Sequence, residues 1–243
     1  DTRQYGRDKQ IQPKEYLTKS GFNQAKFYND LNSNNRELLG SEQLSWIEKS
    51  ILSTNAVWTI FGQQVLMAKL KFPDISKMLR SEEIPSFLKP YLKFLGLGIP
   101  SNLDAWDGYP AERNRLYQLM INAKKRFISL AGDTHNSWVS ELEDQSGSKV
   151  GIELGAPSVT SPGITDILNL DEKKFVNSIV KINKELQWMD PSNRGYLYLN
   201  CAEDKIIASF NYIKELEEIN SDISSSKSFV LHREDLGLEE IKA

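Results

Sequence analysis

A short apolar run that ends at a glycine and leads directly into an acid and a histidine constrains this chain most. Residues 127–131, Phe-Ile-Ser-Leu-Ala, are typical of a buried strand, and Gly132 ends the run. Asp133 and His135 follow, two residues apart. In extended backbone such side chains project to the same side, so the pair is predicted to face one point as metal ligands. The alternative is a turn aspartate beside a histidine that hydrogen-bonds a backbone carbonyl.

The composition is that of a globular protein and excludes several functional classes. The 243 residues are 40% hydrophobic and 26% charged, enough for one domain or two small ones. A net charge of −3 offers no basic face for nucleic acid. The single cysteine, Cys201, excludes an internal disulfide and a cysteine-rich zinc site, and is predicted to be a buried strand residue. No apolar run reaches the roughly 18 residues that span a bilayer.

Strands alternate with helices along the chain, which predicts an α/β sheet. Residues 66–105 are expected to form short helices and loops, a cap over a cleft. The chain after about residue 217 is polar and is expected to be a peripheral tail, 218–243. The predicted helices are 41–55, one starting at Pro110, and 171–186; the predicted strands are 56–61, 127–131, 149–154 and a hairpin of 195–200 with 205–212.

Several separated motifs resemble the PhoD-like alkaline phosphatase family, in the family's order. Together they cover residue 1 to about residue 212. The motifs are residues 1–10 (Asp-Thr-Arg-Gln-Tyr-Gly-Arg-Asp-Lys-Gln), 39–46, 62–65, 106–115, 132–135, 155–163 and 194–196.

The resemblance implies an α/β fold that is the C-terminal half of a four-layer αββα metallophosphoesterase sandwich. Family members carry a preceding half-domain with most of the metal ligands, whereas this chain begins at Asp1. Residues 1–243 are therefore expected to be the C-terminal portion of a phosphatase domain. Such a fragment is expected to have little or no activity alone.

The resemblance also implies what the complete protein does. It implies metal-dependent hydrolysis of phosphate monoesters, diesters or both, with iron and calcium as cofactors and small phosphate esters as substrates. It further implies an extracellular or periplasmic protein, although this chain contains no signal peptide.

Five residues are candidates for the site. Asp133 and His135 are the predicted metal ligands, because a carboxylate suits Ca²⁺ and an imidazole suits iron or zinc. Gln63 follows a strand and a glycine, where many calcineurin-like enzymes place a ligand histidine. It is predicted to line the site as a calcium ligand, a water-binding group or a phosphate donor; the alternative is that it satisfies loop backbone.

Asp107 and Arg194 are the other two candidates with a predicted catalytic role. Asp107 precedes a helix, so it either caps that helix or orients a metal ligand. Arg194 either buttresses the loop at residues 155–163 or contacts the substrate. His232, the second histidine, lies in the tail and receives no role.

Two other functions compete with a phosphoesterase. One is a non-catalytic binding domain on the same sheet, in which Asp133 and His135 are structural; such a domain would be indifferent to chelators. The other is a glycosidase-like carboxylate pair, which has little support because no two acids stand out on facing strand ends.

Overall fold

A computed structural model describes residues 1–75, 78–79, 94, 97–214 and 222–241. The architecture consists mainly of two larger sheets. A separate two-stranded ribbon of β1 (Leu17–Thr18) and β2 (Gly21–Phe22) lies near the N-terminus. The helices are α1 (Gln24–Leu31), α2 (Ser41–Ser53), α3 (Pro110–Asn122), α4 (Ile164–Leu168) and α5 (Glu172–Ile182), with 3₁₀ turns at Pro13–Tyr16 and Trp106–Gly108.

The first sheet has five strands in the order β3-β4-β6-β5-β7. The first three are parallel, and β5 runs antiparallel to both of its neighbours. The strands are β3 (Ile60–Gly62), β4 (Phe127–Ala131), β5 (Ser137–Glu143), β6 (Lys149–Gly155) and β7 (Leu186–Asp190).

The second sheet is antiparallel, in the order β11-β10-β9-β8. Its strands are β8 (Gly195–Cys201), β9 (Lys205–Ile213), β10 (Ile223–His232) and β11 (Leu238–Ile241). The predicted hairpin of the two late strands is confirmed, since β8 and β9 pair from Gly195 opposite Tyr212 to Cys201 opposite Ile206.

The two sheets pack face to face over one apolar core. Ile128, Val139 and Ile152 of the first sheet share that core with Phe210 and Phe229 of the second, and all five are buried. The opposite face of the first sheet is covered by α2, α3 and α5. The predicted α/β class is confirmed, and the described residues supply three of the four expected layers: helices, sheet and sheet.

The tail prediction is wrong for its described part, residues 222–241. Strand β10 pairs with β9 over most of its length, and Phe229 and Leu231 are 3% and 0% exposed. The Ser-rich stretch 224–226 masked an alternating pattern of buried apolar residues further along the strand. Residues 218–221, 242 and 243 of the predicted tail lie outside the described residues.

Other predicted boundaries shift for local reasons. Helix α2 is capped by Gly40, whose positive φ of 82° suits glycine, and Ser41 is its first residue. The helix predicted over 171–186 ends at Ile182, because Leu186 begins β7. Cys201 ends β8 and is exposed, contrary to the buried position predicted for it.

Two predictions fall partly outside the described residues. Residues 98–103 and 105 of the predicted cap line a cavity, but residues 76, 77, 80–93, 95 and 96 are not described. Within the described part of the chain, no helix combines the length and the apolar character that a membrane crossing requires.

Candidate functional site

The ligand turn, residues 132–136, follows β4 directly and carries both predicted metal ligands. The prediction of extended backbone here is wrong, because Asp133 and His135 have φ values of 68° and 60°, in the left-handed region. Thr134 N–H donates to the carbonyl of Gly132 at 2.8 Å and tightens the turn. Left-handed backbone is costly for residues other than glycine and concentrates at functional sites.

The imidazole of His135 is oriented by one backbone acceptor. Nδ1 lies 3.0 Å from the carbonyl oxygen of Pro162. A carbonyl can only accept, so Nδ1 carries a proton, and in the tautomer that this bond selects the lone pair is on Nε2. Metal-binding histidines are commonly held in this way through their other nitrogen. A purely structural turn histidine would make the same bond.

Asp133 faces a small network of opposite charges. Its Oδ1 lies 3.3 Å from Nη2 of Arg3, and its side chain is 40% exposed. Arg3 also pairs with Asp104, which Arg7 contacts from the other side. Burial opposes ionisation of Asp104, but hydrogen bonds from the two arginines outweigh it and lower the pKa of Asp104. The network fixes the N-terminal segment against the ligand turn.

The N-terminal segment also meets the loop after β3. Thr2 is fully buried, and both its backbone N–H and its hydroxyl donate to Oε1 of Gln64, at 3.0 and 2.8 Å. Gln64 Nε2 donates in turn to Asp1 at 3.2 Å, and Gln43 Nε2 donates to the carbonyl of Asp1 at 2.8 Å. Three motifs that are distant in sequence therefore converge beside the ligand turn.

Gln63 is held within its own loop. Its side-chain oxygen accepts from Trp106 Nε1 at 3.1 Å and from the backbone of Val65 at 3.3 Å. Its amide nitrogen donates to Ser129 Oγ at 3.1 Å and to the carbonyl of Val65. These contacts match the alternative in which Gln63 satisfies loop backbone, and Gln64 is the residue that faces the N-terminal segment.

Asp107 forms a buried ion pair rather than a helix cap. Its Oδ1 lies 2.7 Å from Arg113 Nη1, and its Oδ2 accepts from the backbone N–H of Leu70 at 2.9 Å. Arg113 Nη1 also donates to the carbonyl of Met67 at 2.8 Å. Asp107 borders the same cavity as Asp133 and His135, but both of its oxygens accept from protein groups.

Arg194 is linked to the loop that carries Pro162 through Asp166, whose Oδ2 also accepts from the backbone N–H of Gly163 at 2.8 Å. Its guanidinium is buried, donates to the carbonyl oxygens of Ser192 and Asn193 at 2.8 and 3.2 Å, and pairs with Asp166. Burial lowers the pKa of Arg194. Of its two predicted roles, these contacts match the buttressing one.

Sequence reasoning did not predict that buried polar side chains hold the wall segment, residues 66–71. Their signal was available in part, because Glu153 interrupts an otherwise apolar strand. Five consecutive backbone N–H groups of this segment donate to these side chains: Met67 and Ala68 to Glu153, Lys69 to Glu185, Leu70 to Asp107, and Lys71 to Asn183.

A cavity of about 830 Å³ opens beside the ligand turn. Asp133, His135 and Asn136 line one part of it, and apolar side chains line most of the rest. The apolar lining includes Leu66, Ala68, Leu70, Phe72, Ile99, Leu103, Trp138, Ile164, Ile167 and Leu168.

The donor set fits one part of a metal site. Asp133 supplies carboxylate oxygens and His135 supplies an imidazole nitrogen, which suit calcium and iron respectively. Across the described ranges, no cluster of three or more His, Cys, Asp or Glu side chains is placed to hold a metal ion. Further ligands would have to come from elsewhere.

Comparison with known proteins gives three concordant matches. The family model described as PhoD-like phosphatase matches residues 1–210. Alkaline phosphatase D of Bacillus subtilis (strain 168) is 28% identical over 214 residues, covering 86% of this chain and 32% of that protein. A solved structure titled "Structure of PhoD" superposes with a TM-score of 0.73 at 25% identity, covering all of this chain and 41% of that one. The chain thus spans about a third of the length of the curated relative it matches.

Proposed function

We infer that the full-length protein is a metal-dependent phosphoesterase, from the premise that its chain belongs to the PhoD-like phosphatase family. Family membership supports hydrolysis of phosphate esters. The metal dependence, and the extension to monoesters, diesters or both, are our proposal. Small phosphate esters are the proposed substrates, and an extracellular or periplasmic location is proposed from the family resemblance.

The observation that carries this proposal is the environment of His135. Its Nδ1 is hydrogen-bonded to the carbonyl of Pro162 at 3.0 Å, which leaves Nε2 for a metal, and Asp133 lines the same cavity. Both side chains border a cavity of about 830 Å³, where a substrate has room to bind. We propose iron and calcium as the metals, with Asp133 and His135 among their ligands. Bound there, the metals would supply Lewis acidity and an activated water.

The remaining residues would position the site. Arg3 places a positive charge 3.3 Å from Asp133, where an anionic ester would approach. Arg194 pairs with Asp166, which accepts from the N–H of Gly163, so it would help to hold the loop that carries Pro162 and thus the orientation of His135. We propose that Gln63 fixes the loop after β3 and that Asp107 fixes the cavity wall, so both act through other residues.

Two ligands do not define a closed metal site, so the chain of 243 residues is proposed to be only part of one. We expect the isolated chain to hydrolyse aryl phosphates little or not at all. Substantial turnover by the purified 243-residue chain would contradict this expectation.

Chelation of the full-length protein tests the proposed function against the non-catalytic alternative. A phosphoesterase should lose aryl-phosphate hydrolysis on treatment with a chelator, and its thermal unfolding midpoint should fall because metal binding stabilises the folded state. Added iron and calcium should restore both. A binding domain with a structural Asp133 and His135 would keep its midpoint unchanged throughout.

A further inference from the structure

The cavity beside the ligand turn has largely apolar walls, whereas the ligand turn itself is polar. Leu66, Ala68 and Leu70 line it along the wall segment, and Trp138 and Leu168 line it from other elements. A phosphate group is strongly hydrated, so walls of this kind do not suit it.

The wall segment is held rigidly from behind. Glu153 accepts from the N–H groups of Met67 and Ala68 at 2.7 and 2.8 Å, and Glu185 accepts from Lys69 at 2.8 Å. The Lys69 side chain leaves on the far side, where its Nζ donates to the carbonyl of Glu143 at 2.8 Å. A pocket whose walls are fixed before binding loses little conformational entropy when a ligand enters.

Hydrogen bonds join the apolar walls to the ligand turn. Trp138 Nε1 donates to Thr134 Oγ1 at 2.7 Å, and the backbone N–H of Ile164 donates to Asn136 Oδ1 at 3.1 Å. Both partners lie within the ligand turn. A phosphoryl group held at Asp133 and His135 therefore has the apolar cavity as its immediate neighbour.

We propose that this cavity binds the organic group of the phosphate ester, and that the group is apolar: an alkyl chain or an aryl ring. The inference rests on the proposed phosphoesterase function and adds the substrate class. The cavity volume of about 830 Å³ lies within the range of pockets that enclose a whole small organic molecule. The proposed position of the organic group is the part lined by Leu66, Ala68, Leu70, Trp138 and Leu168, since other parts of the lining are polar: Gln10, Gln12, Lys14, Ser101 and Asn102. The hydroxyl groups of a sugar-like ester would lack hydrogen-bond partners against the apolar part.

A chain-length series on the full-length protein tests the proposal. The substrates are n-alkyl phosphates and n-alkyl p-nitrophenyl phosphates of two to eight carbons, kept below micelle-forming concentrations. Each methylene buried in an apolar pocket should raise kcat/KM about fourfold until the cavity is full. The same chains capped with a terminal hydroxyl should lose most of this gain.

Ile167→Asp supplies the matched site test. Ile167 lines the cavity and is 40% exposed, so the substitution places a charge in the wall without emptying the core. We expect it to abolish the dependence of kcat/KM on chain length. Ile121→Asp is the control, because Ile121 is also a helical isoleucine, is 38% exposed and lies outside the cavity.

The outcomes separate the two proposals. If no ester of either series is hydrolysed, the proposed phosphoesterase function fails. If esters are hydrolysed but kcat/KM is the same at two and eight carbons, or if Ile167→Asp and Ile121→Asp retain the same dependence, the apolar substrate class is overturned.

Discussion

Glu153 is a fully buried carboxyl group that interrupts the apolar strand β6. It accepts hydrogen bonds from Met67, Ala68 and Ser129 at 2.7 to 2.9 Å. Burial nevertheless outweighs these donors and raises the pKa of Glu153 from 4.5 to about 7. The residue that fixes the cavity wall thereby makes the stability of the fold depend on pH.

The sign of that dependence follows from proton linkage. Between pH 4.5 and about 7 the folded protein holds a proton on Glu153 that the unfolded chain has released. Stability from this group is therefore present below pH 4.5 and falls as pH rises through about 7. A shift of this size corresponds to roughly 3 kcal/mol.

Glu153→Gln should remove this dependence, since the amide does not titrate. Urea unfolding at pH 4.5 and pH 8 is expected to show the wild type losing about 2–3 kcal/mol more than the variant. Glu141→Gln, on the neighbouring strand and partly exposed, should leave the wild-type dependence intact. Identical pH dependence in wild type and Glu153→Gln would contradict the assignment.

Asp107 was a catalytic candidate, and its contacts predict a structural phenotype instead. Asp107→Ala leaves the buried Arg113 without its partner and should cost about 3–5 kcal/mol of unfolding free energy. In a double-mutant cycle, Asp107→Ala with Arg113→Ala should cost less than the sum of the single variants. Additive losses would contradict a stabilising ion pair between Asp107 and Arg113. So would an Asp107→Ala variant that keeps wild-type stability and loses its metal.

The candidate residues of the ligand turn could be selected from the sequence, but the hydrogen-bond and ion-pair partners of the other candidates could not. Asp133 and His135 were identified from a strand, a glycine and an i, i+2 spacing, although their backbone is left-handed. The roles of Gln63 and Asp107 depend on Trp106 and Arg113, whose contacts form only when the chain folds. No local pattern encodes such pairs.

At the level of elements, strong periodicity was predictive and weak periodicity was not. The helices at Ser41 and Pro110 and the strand at residues 127–131 were found close to their observed bounds. Strand β5 was missed, because Ser137 and Ser140 are polar and yet buried. Strand β7 was missed as well, and its first residue, Leu186, was assigned to the end of a helix.

Strand β10 offers the sharpest test at this scale, because its sequence suggested a tail. Phe229→Ala should cost about 3–5 kcal/mol of unfolding free energy, since it empties a site between the sheets that contacts Trp188 and Phe210. Ile223→Ala is the control on the same strand, where the side chain is 53% exposed, and should cost less than about 0.5 kcal/mol. Equal effects in denaturant unfolding would mean that β10 is peripheral after all.

For the whole molecule, the two stacked sheets place the ligand turn at the end of β4, beside the cavity. The fold class followed from alternating strands and helices, whereas the stacking of the two sheets follows from long-range contacts such as those of Phe229. The chain spans about a third of the curated relative it matches, and its described residues contribute two metal-ligand candidates. We therefore propose that hydrolysis by the full-length protein depends on metal ligands in addition to Asp133 and His135.

The most direct test of this account is the metal content of the full-length protein with His135→Ala, measured by elemental analysis beside aryl-phosphate hydrolysis on the same samples. His232→Ala is the matched control, because it removes the second of the two histidines in this chain, at a position away from the ligand turn. We predict that His135→Ala loses iron and activity together, while His232→Ala keeps both. Unchanged metal content and rate in His135→Ala would contradict the assignment of the ligand turn as a metal site.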